Sequence, residues 1–136
     1  MNDDAVWDAF ATLAGTFAAG YSPAIPVIYS GTGGEPPDEG IWIECKYFPN
    51  RTLQYGVKAS EVISLRGFCQ AMVCNRPGAG LNPSMDVVRD LIAYFDTGTV
   101  LGPAYVSRPP YVSAVIEEPA RVKLPITIPY AAHGSR

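Results

Sequence analysis

The stretch Arg121-Val122-Lys123-Leu124-Pro125-Ile126-Thr127-Ile128-Pro129-Tyr130 decides how the chain is read. Val122, Leu124, Ile126, Ile128 and Tyr130 alternate with Arg121, Lys123, Pro125, Thr127 and Pro129, the two-residue period of a strand with one buried face. Pro125 and Pro129 share a parity. In an extended strand, residues of one parity aim their N–H groups at the same neighbour, so two donors are missing on one side only. The other side keeps a full ladder. Prolines in sheets belong on edges, and the stretch therefore reads as the edge strand that closes the sheet.

Upstream of it, Glu117-Glu118-Pro119 is a turn, and Thr99–Leu101, Ala104–Val106 and Tyr111–Ile116 are short strands broken at Gly102-Pro103 and Pro109-Pro110. A helix precedes them, with Asn82 as its cap and Pro83 at its first position. Its buried stripe is Val88, Leu91, Ile92 and Phe95, flanked by Met85 and Tyr94, and Gly98 is its stop. Glu61 to Cys74 is the longest strand. Ile63, Leu65, Cys69, Ala71 and Val73 hold one parity, Phe68, Met72 and Cys74 the other, and Gly67 is placed for a bulge. Both faces of this strand are partly apolar. One is expected to meet helices; the other is covered by a second layer of the same chain or by a neighbouring subunit.

Toward the N-terminus, Ile41 to Phe48 and Ile25 to Tyr29 read as strands, and Asn2 to Ala19 as a helix. In that helix Val6, Phe10, Leu13 and Phe17 form an apolar stripe, Asp3 or Asp4 caps the start and Gly20 follows the end. Pro49 to Ser60 is a long loop, of the kind that often carries function. The whole is an α+β chain: a mainly antiparallel sheet of about five strands with two helices packed on one face, over a single domain spanning 1–136.

Forty-eight per cent hydrophobic against 17 per cent charged residues is enough for a core and excludes disorder. A net charge of −3 and a pI near 5.0 exclude a general nucleic-acid binder. The N-terminus has no signal-peptide pattern, and no run approaches the about 18 apolar residues of a membrane span. A soluble protein made in the cytoplasm is the expectation. Cys45, Cys69 and Cys74 form no CxxC and have no paired histidine, so they read as buried thiols.

The residues nominate no catalysis. His133, the single histidine, lies beyond the last strand, where chains fray. Asp3-Asp4, Asp38-Glu39 and Glu117-Glu118 are adjacent pairs in caps and turns. Gly31-Thr32-Gly33-Gly34 is followed by no GK[ST]. No metal, cofactor or enzymatic activity is expected.

With the elements in place, the chain resembles the tail terminator (tail completion) proteins of long non-contractile-tailed bacteriophages and related tail-like particles. The residues that carry this are Ile41-Trp42-Ile43 through Phe48-Pro49 to Leu53-Gln54-Tyr55-Gly56, Arg66-Gly67-Phe68-Cys69-Gln70-Ala71-Met72-Val73, Asn82-Pro83 through Phe95 to Gly98-Thr99, and Leu124-Pro125-Ile126-Thr127-Ile128-Pro129-Tyr130. The resemblance implies a homohexameric ring that caps the tail tube at its head-proximal end, ends tail polymerisation and offers a surface to the head–tail connector. Its partners would be itself, the tube protein and the connector, with DNA sliding through the pore without specific binding and no membrane involved. Arg51, Tyr55 and Lys58 in the long loop, with Phe68 and Met72 on the second face of the long strand, are the candidate assembly contacts. In such a ring Pro125 and Pro129 forbid an intersubunit ladder through their N–H positions. Other readings are a different joining or stopper protein of the neck, or a small ligand-binding or catalytic domain. The last requires a concave site with convergent polar groups.

Overall fold

A computed structural model of the chain describes residues 3–31, 34–54 and 63–134, with side chains at 5–31, 34–47 and 66–132. The elements run α1 (Asp3–Ala19), β1 (Val27–Tyr29), β2 (Trp42–Gln54), β3 (Ile63–Asn75), α2 (Asn82–Tyr94), β4 (Val100–Leu101), β5 (Ala104–Val106), β6 (Tyr111–Val112), β7 (Ile116–Glu117) and β8 (Val122–Gly134). All eight strands join one sheet in the order β1-β2-β3-β8-β5-β4, with β6 and β7 also paired to β8. Only β1–β2 is parallel. The α+β expectation holds, with more strands than the five expected. Breaks at Gly102-Pro103 and Pro109-Pro110 cut the covering segment into separate two- and three-residue strands.

β8 is not an edge, and that expectation is corrected. On one side it pairs with β3 along the full length of both strands, from Asn75 opposite Val122 to Ile63 opposite Gly134. On the other side β7 meets it at Lys123, β6 at Thr127 and β5 at Ala131. The Ser113 N–H donates to the Pro125 carbonyl at 3.1 Å and the Ser107 N–H to the Pro129 carbonyl at 3.0 Å. Odd-numbered residues of β8 therefore face this side, and the two absent donors lie here, as parity requires. The three short strands each pair at an odd residue that retains its N–H. At the prolines only the carbonyl is used.

The even residues of β8, Leu124, Ile126, Ile128, Tyr130 and Ala132, join Ile43, Cys45, Cys69, Ala71 and Val73 in one buried layer. Both helices cover it. α1 contributes Val6, Phe10, Ala14 and Phe17, with the expected Leu13 only partly buried; α2 contributes Val87, Val88, Leu91 and Phe95, with Ile92 at the rim. Phe10 and Phe95 meet at 5.5 Å between ring centroids and join the two helices. Each such side chain stabilises by roughly 1.5–3 kcal/mol before its ordering entropy. The β4–β5 turn runs so close to α1 that a Cβ on Gly102 would sit 2.9 Å from the Ala5 carbonyl oxygen.

Several local expectations shift. Asn82 does not cap α2: it is the first helical residue, Leu81 holds the cap position without a side-chain bond, and Pro83 sits in the first turn. Gly98 lies beyond the helix end in a left-handed turn (φ 93°) that leads into β4. β2 continues through Gln54, so 49–54 is strand and not loop. The bulge lies on β2 between Pro49 and Thr52, opposite the position where Gly67 was expected to bend β3. Tyr55 and Lys58 lie outside the described residues, as do the side chains of Asp3, Asp4 and His133.

All three cysteines are free and buried. Burial pushes the Cys45 thiol up to about 12; Cys74 is also pushed up to about 12, by burial first and by Glu44 second. Cys69 is raised further by burial and the neighbouring Cys45. The native protein at pH 8 is expected to leave a disulfide-exchange thiol reagent unreacted, and denaturation to release three equivalents. A rapid reaction of the folded chain would contradict the burial described here.

Candidate assembly surface

The face of the sheet opposite the helices divides into two zones. At one end Trp42, Met72 and Cys74 form a small buried cluster with Ile28 packed against it. Its cover comes from the same chain. The Arg76 guanidinium lies 4.9 Å above the Trp42 ring. Its Nη1 donates to the Ala120 carbonyl at 3.0 Å, and its Nε and Nη2 donate to the Pro37 carbonyl, the former at 3.2 Å. Trp42 Nε1–H donates to Glu44 Oε2 at 2.9 Å, and Arg121 Nη1 pairs with the same carboxylate oxygen. Arg121 Nε also donates to Glu118 Oε1 at 2.9 Å, and Lys123 Nζ stands 3.4 Å from Glu118 Oε2. Two connections, residues 37–41 and 117–121, are thereby tied over an apolar patch. The bond from Arg121 is the main reason the Glu118 carboxyl sits below the usual glutamate range; desolvation opposes it, and Lys123 adds to the lowering.

At the other end the same face is open. A groove of about 510 Å³ runs between Arg66, Phe68, Tyr105, Arg108 and Tyr111, over Thr127, Pro129 and Ala131 of β8. Strand register builds it: Ala131 lies between Arg66 on β3 and Tyr105 on β5, Pro129 is opposite Phe68, and Thr127 is opposite Tyr111. The partners of Tyr105 and Tyr111 in the alternation, Val106 and Val112, turn to the helix side, which leaves the tyrosines 41% and 52% exposed. No carboxylate, thiol or imidazole is among the described residues that line the groove. No group of metal-ligating side chains occurs among the described residues. Tyrosine, phenylalanine and arginine are the residue types that carry binding energy at protein interfaces. Binding is the chemistry this surface supports.

The candidate contacts do not come together. Phe68 is in the groove, whereas Met72, on the same face of β3, is only 3% exposed within the Trp42 cluster. Arg51 has its backbone in β2 and its side chain outside the described residues. Tyr105, Arg108 and Tyr111 escape a reading of the sequence because they lie on two- and three-residue strands and a proline-flanked link, too short to show a period. The Gly-Pro and Pro-Pro breaks on either side are the one signal that this segment is cut up against a longer strand.

Comparison with known proteins places these features in a family. The family model described as phage tail terminator protein matches residues 5–130. A solved structure of a protein 24% identical superposes with a TM-score of 0.78, covering 96% of this chain and 95% of its own, which at that identity shows a shared fold. No curated protein matches the chain.

The Glu118 tie has a pH signature. A carboxyl held below its unfolded value, about 4.3 for glutamate, contributes stability that is complete above that value and lost as pH falls through the lower folded one. Denaturant titrations between pH 7 and pH 3 are expected to show a smaller acid loss in Glu118→Gln than in the parent chain. Superimposable pH profiles would mean the tie carries no linkage.

Proposed function

The chain belongs to the phage tail terminator protein family, and on that premise we propose that it forms a six-membered ring that caps the tail tube, ends tube polymerisation and presents the attachment surface for the head–tail connector. Membership makes it a structural protein of the phage tail, located in the virion tail, from a family that is not one of enzymes. The match across residues 5–130 carries the reading, and the whole chain, 1–136, would act as one such domain.

Physical features support it. A heterologous contact closes into a ring when its rotation permits, and permanent assemblies often bury upwards of about 2,000 Å² per interface. The open half of the helix-free face has the aromatic and arginine lining such a contact uses. The proline side of β8 is occupied by the chain's own β5, β6 and β7, so a neighbour would meet the subunit elsewhere than along that ladder. A net charge of −3 suits a pore through which DNA slides, since neutralising phosphates is what makes DNA binding tight. Arg51, Tyr55 and Lys58, at and beyond the end of β2, are proposed as further contacts.

Tube protein polymerised with the purified chain should give tubes of limited length with a ring at one end by electron microscopy. Tubes that grow on regardless, with bare ends, would overturn the proposal. Charge reversal of Arg51 and Lys58 together should reduce capped ends without altering the circular dichroism of the chain. Undiminished capping would discard the 51–58 segment as a contact.

A further inference from the structure

Residues 111–117 form a sheet edge. Among the described residues β6 and β7 pair with β8 alone, and the chain between them makes no turn or bend. Tyr111, Ser113, Ala114, Val115 and Ile116 are all exposed. Proteins ordinarily blunt such an edge with charge or proline, and neither occurs from Tyr111 to Ile116. Backbone parity defines what the edge accepts. The Ser113 N–H donates to the Pro125 carbonyl and Tyr111 stands opposite Thr127, so these odd residues turn their backbone groups to β8. Val112 and Ala114 turn theirs away. Beyond Ser113 the register shifts by one residue, with Ile116 opposite Lys123, so that Ala114 and Val115 together face Leu124, whose backbone groups point at β3. An extended strand is the occupant that satisfies such an edge.

The segment is its own complement. A two-fold axis at Ser113 sets Val112 opposite Ala114 of an antiparallel second copy, and Ala114 opposite its Val112. These are the residues whose backbone groups point outward, so they form the hydrogen-bonded pairs, and Ser113 meets its own copy in the non-hydrogen-bonded position between them. Tyr111 comes opposite Val115, an aromatic residue against a β-branched one. The flanks have opposite signs, Arg108 before the segment and Glu117 after it, and antiparallel pairing brings the Arg108 end of each copy to the Glu117 end of the other. One surface meeting itself in this way is an isologous contact. We propose that the free chain forms a two-fold dimer by antiparallel pairing of residues 111–115 with the same residues of a second copy. The dimer does not rest on the ring reading, since a two-fold contact closes on two copies and does not propagate. Tyr111 also walls the groove, so the dimer covers part of that surface.

Cross-linking and sedimentation of the purified chain, without tubes, test this. Ser113→Cys places a thiol on the two-fold axis, where Cα atoms of a non-hydrogen-bonded pair stand about 4.5 Å apart, within disulfide reach. The native cysteines are buried. Mild oxidation should therefore give a covalent dimer of Ser113→Cys and none of the parent. Ala93→Cys, at an exposed position of α2, measures cross-linking by collision and should react far more slowly. Ala114→Pro removes an outward donor and no bond to β8. It should raise the dimer dissociation constant on the order of tenfold or more, since each dimer loses two bonds, and leave the melting temperature unchanged. A Ser113→Cys chain that cross-links no faster than Ala93→Cys overturns the pairing. So does a parent that stays monomeric at every concentration. A dimer undiminished by Ala114→Pro overturns it as well and assigns self-association to another surface.

Discussion

Two missing hydrogen-bond donors organise this fold. Pro125 and Pro129 remove N–H groups from one side of β8, and every other feature of the sheet's second half is arranged around that loss. β3 takes the intact side and forms an uninterrupted ladder, the longest continuous pairing of β8. On the defective side a continuous partner strand would leave carbonyls without donors at two positions, and buried backbone groups are rarely left so. The chain instead approaches as three brief strands, each centred where a donor remains. It accepts one-way bonds at the prolines, from Ser113 and Ser107.

This arrangement explains why the helix-free face is divided. The brief strands present Tyr105 and Tyr111 outward and put Val106 and Val112 inward, so the face gains aromatic side chains without gaining a layer to cover them. At the other end the linkage of Arg76, Glu44, Arg121 and Glu118 draws two connections across Trp42 and Met72. Most of those bonds involve charged groups only partly withdrawn from water, where pairing offsets desolvation without adding much beyond it. Their structural effect is geometric: they fix where the 35–39 segment stands.

Much of the layer facing the helices was legible from period alone. The alternation in 124–130 and the stripe Val6, Phe10 and Phe17 put those residues where they are found, whereas Val122 is only half-buried. What misled was the inference from proline to edge. Parity identified the side lacking donors, but an edge and a strand covered by fragments look alike in the sequence of β8 itself; the difference lies in 100–117, where strands of two residues carry no period. The Trp42 cluster was hidden for another reason. From sequence, the face that carries Met72 reads equally as covered by the same chain or by a neighbouring subunit, and what decides it is that Arg76 and Arg121 tie connections over it, contacts no local pattern shows. For the same reason the groove was half visible: Phe68 could be placed on the second face of β3, but the tyrosines opposite it depend on register with β8.

Arg66 and Arg108 line the groove together with Tyr105 and Tyr111. The donors missing from β8 thus bear on the shape of this surface as well as on the ladder. They break the covering strand into the pieces that carry Tyr105, Arg108 and Tyr111, and those pieces wall the groove.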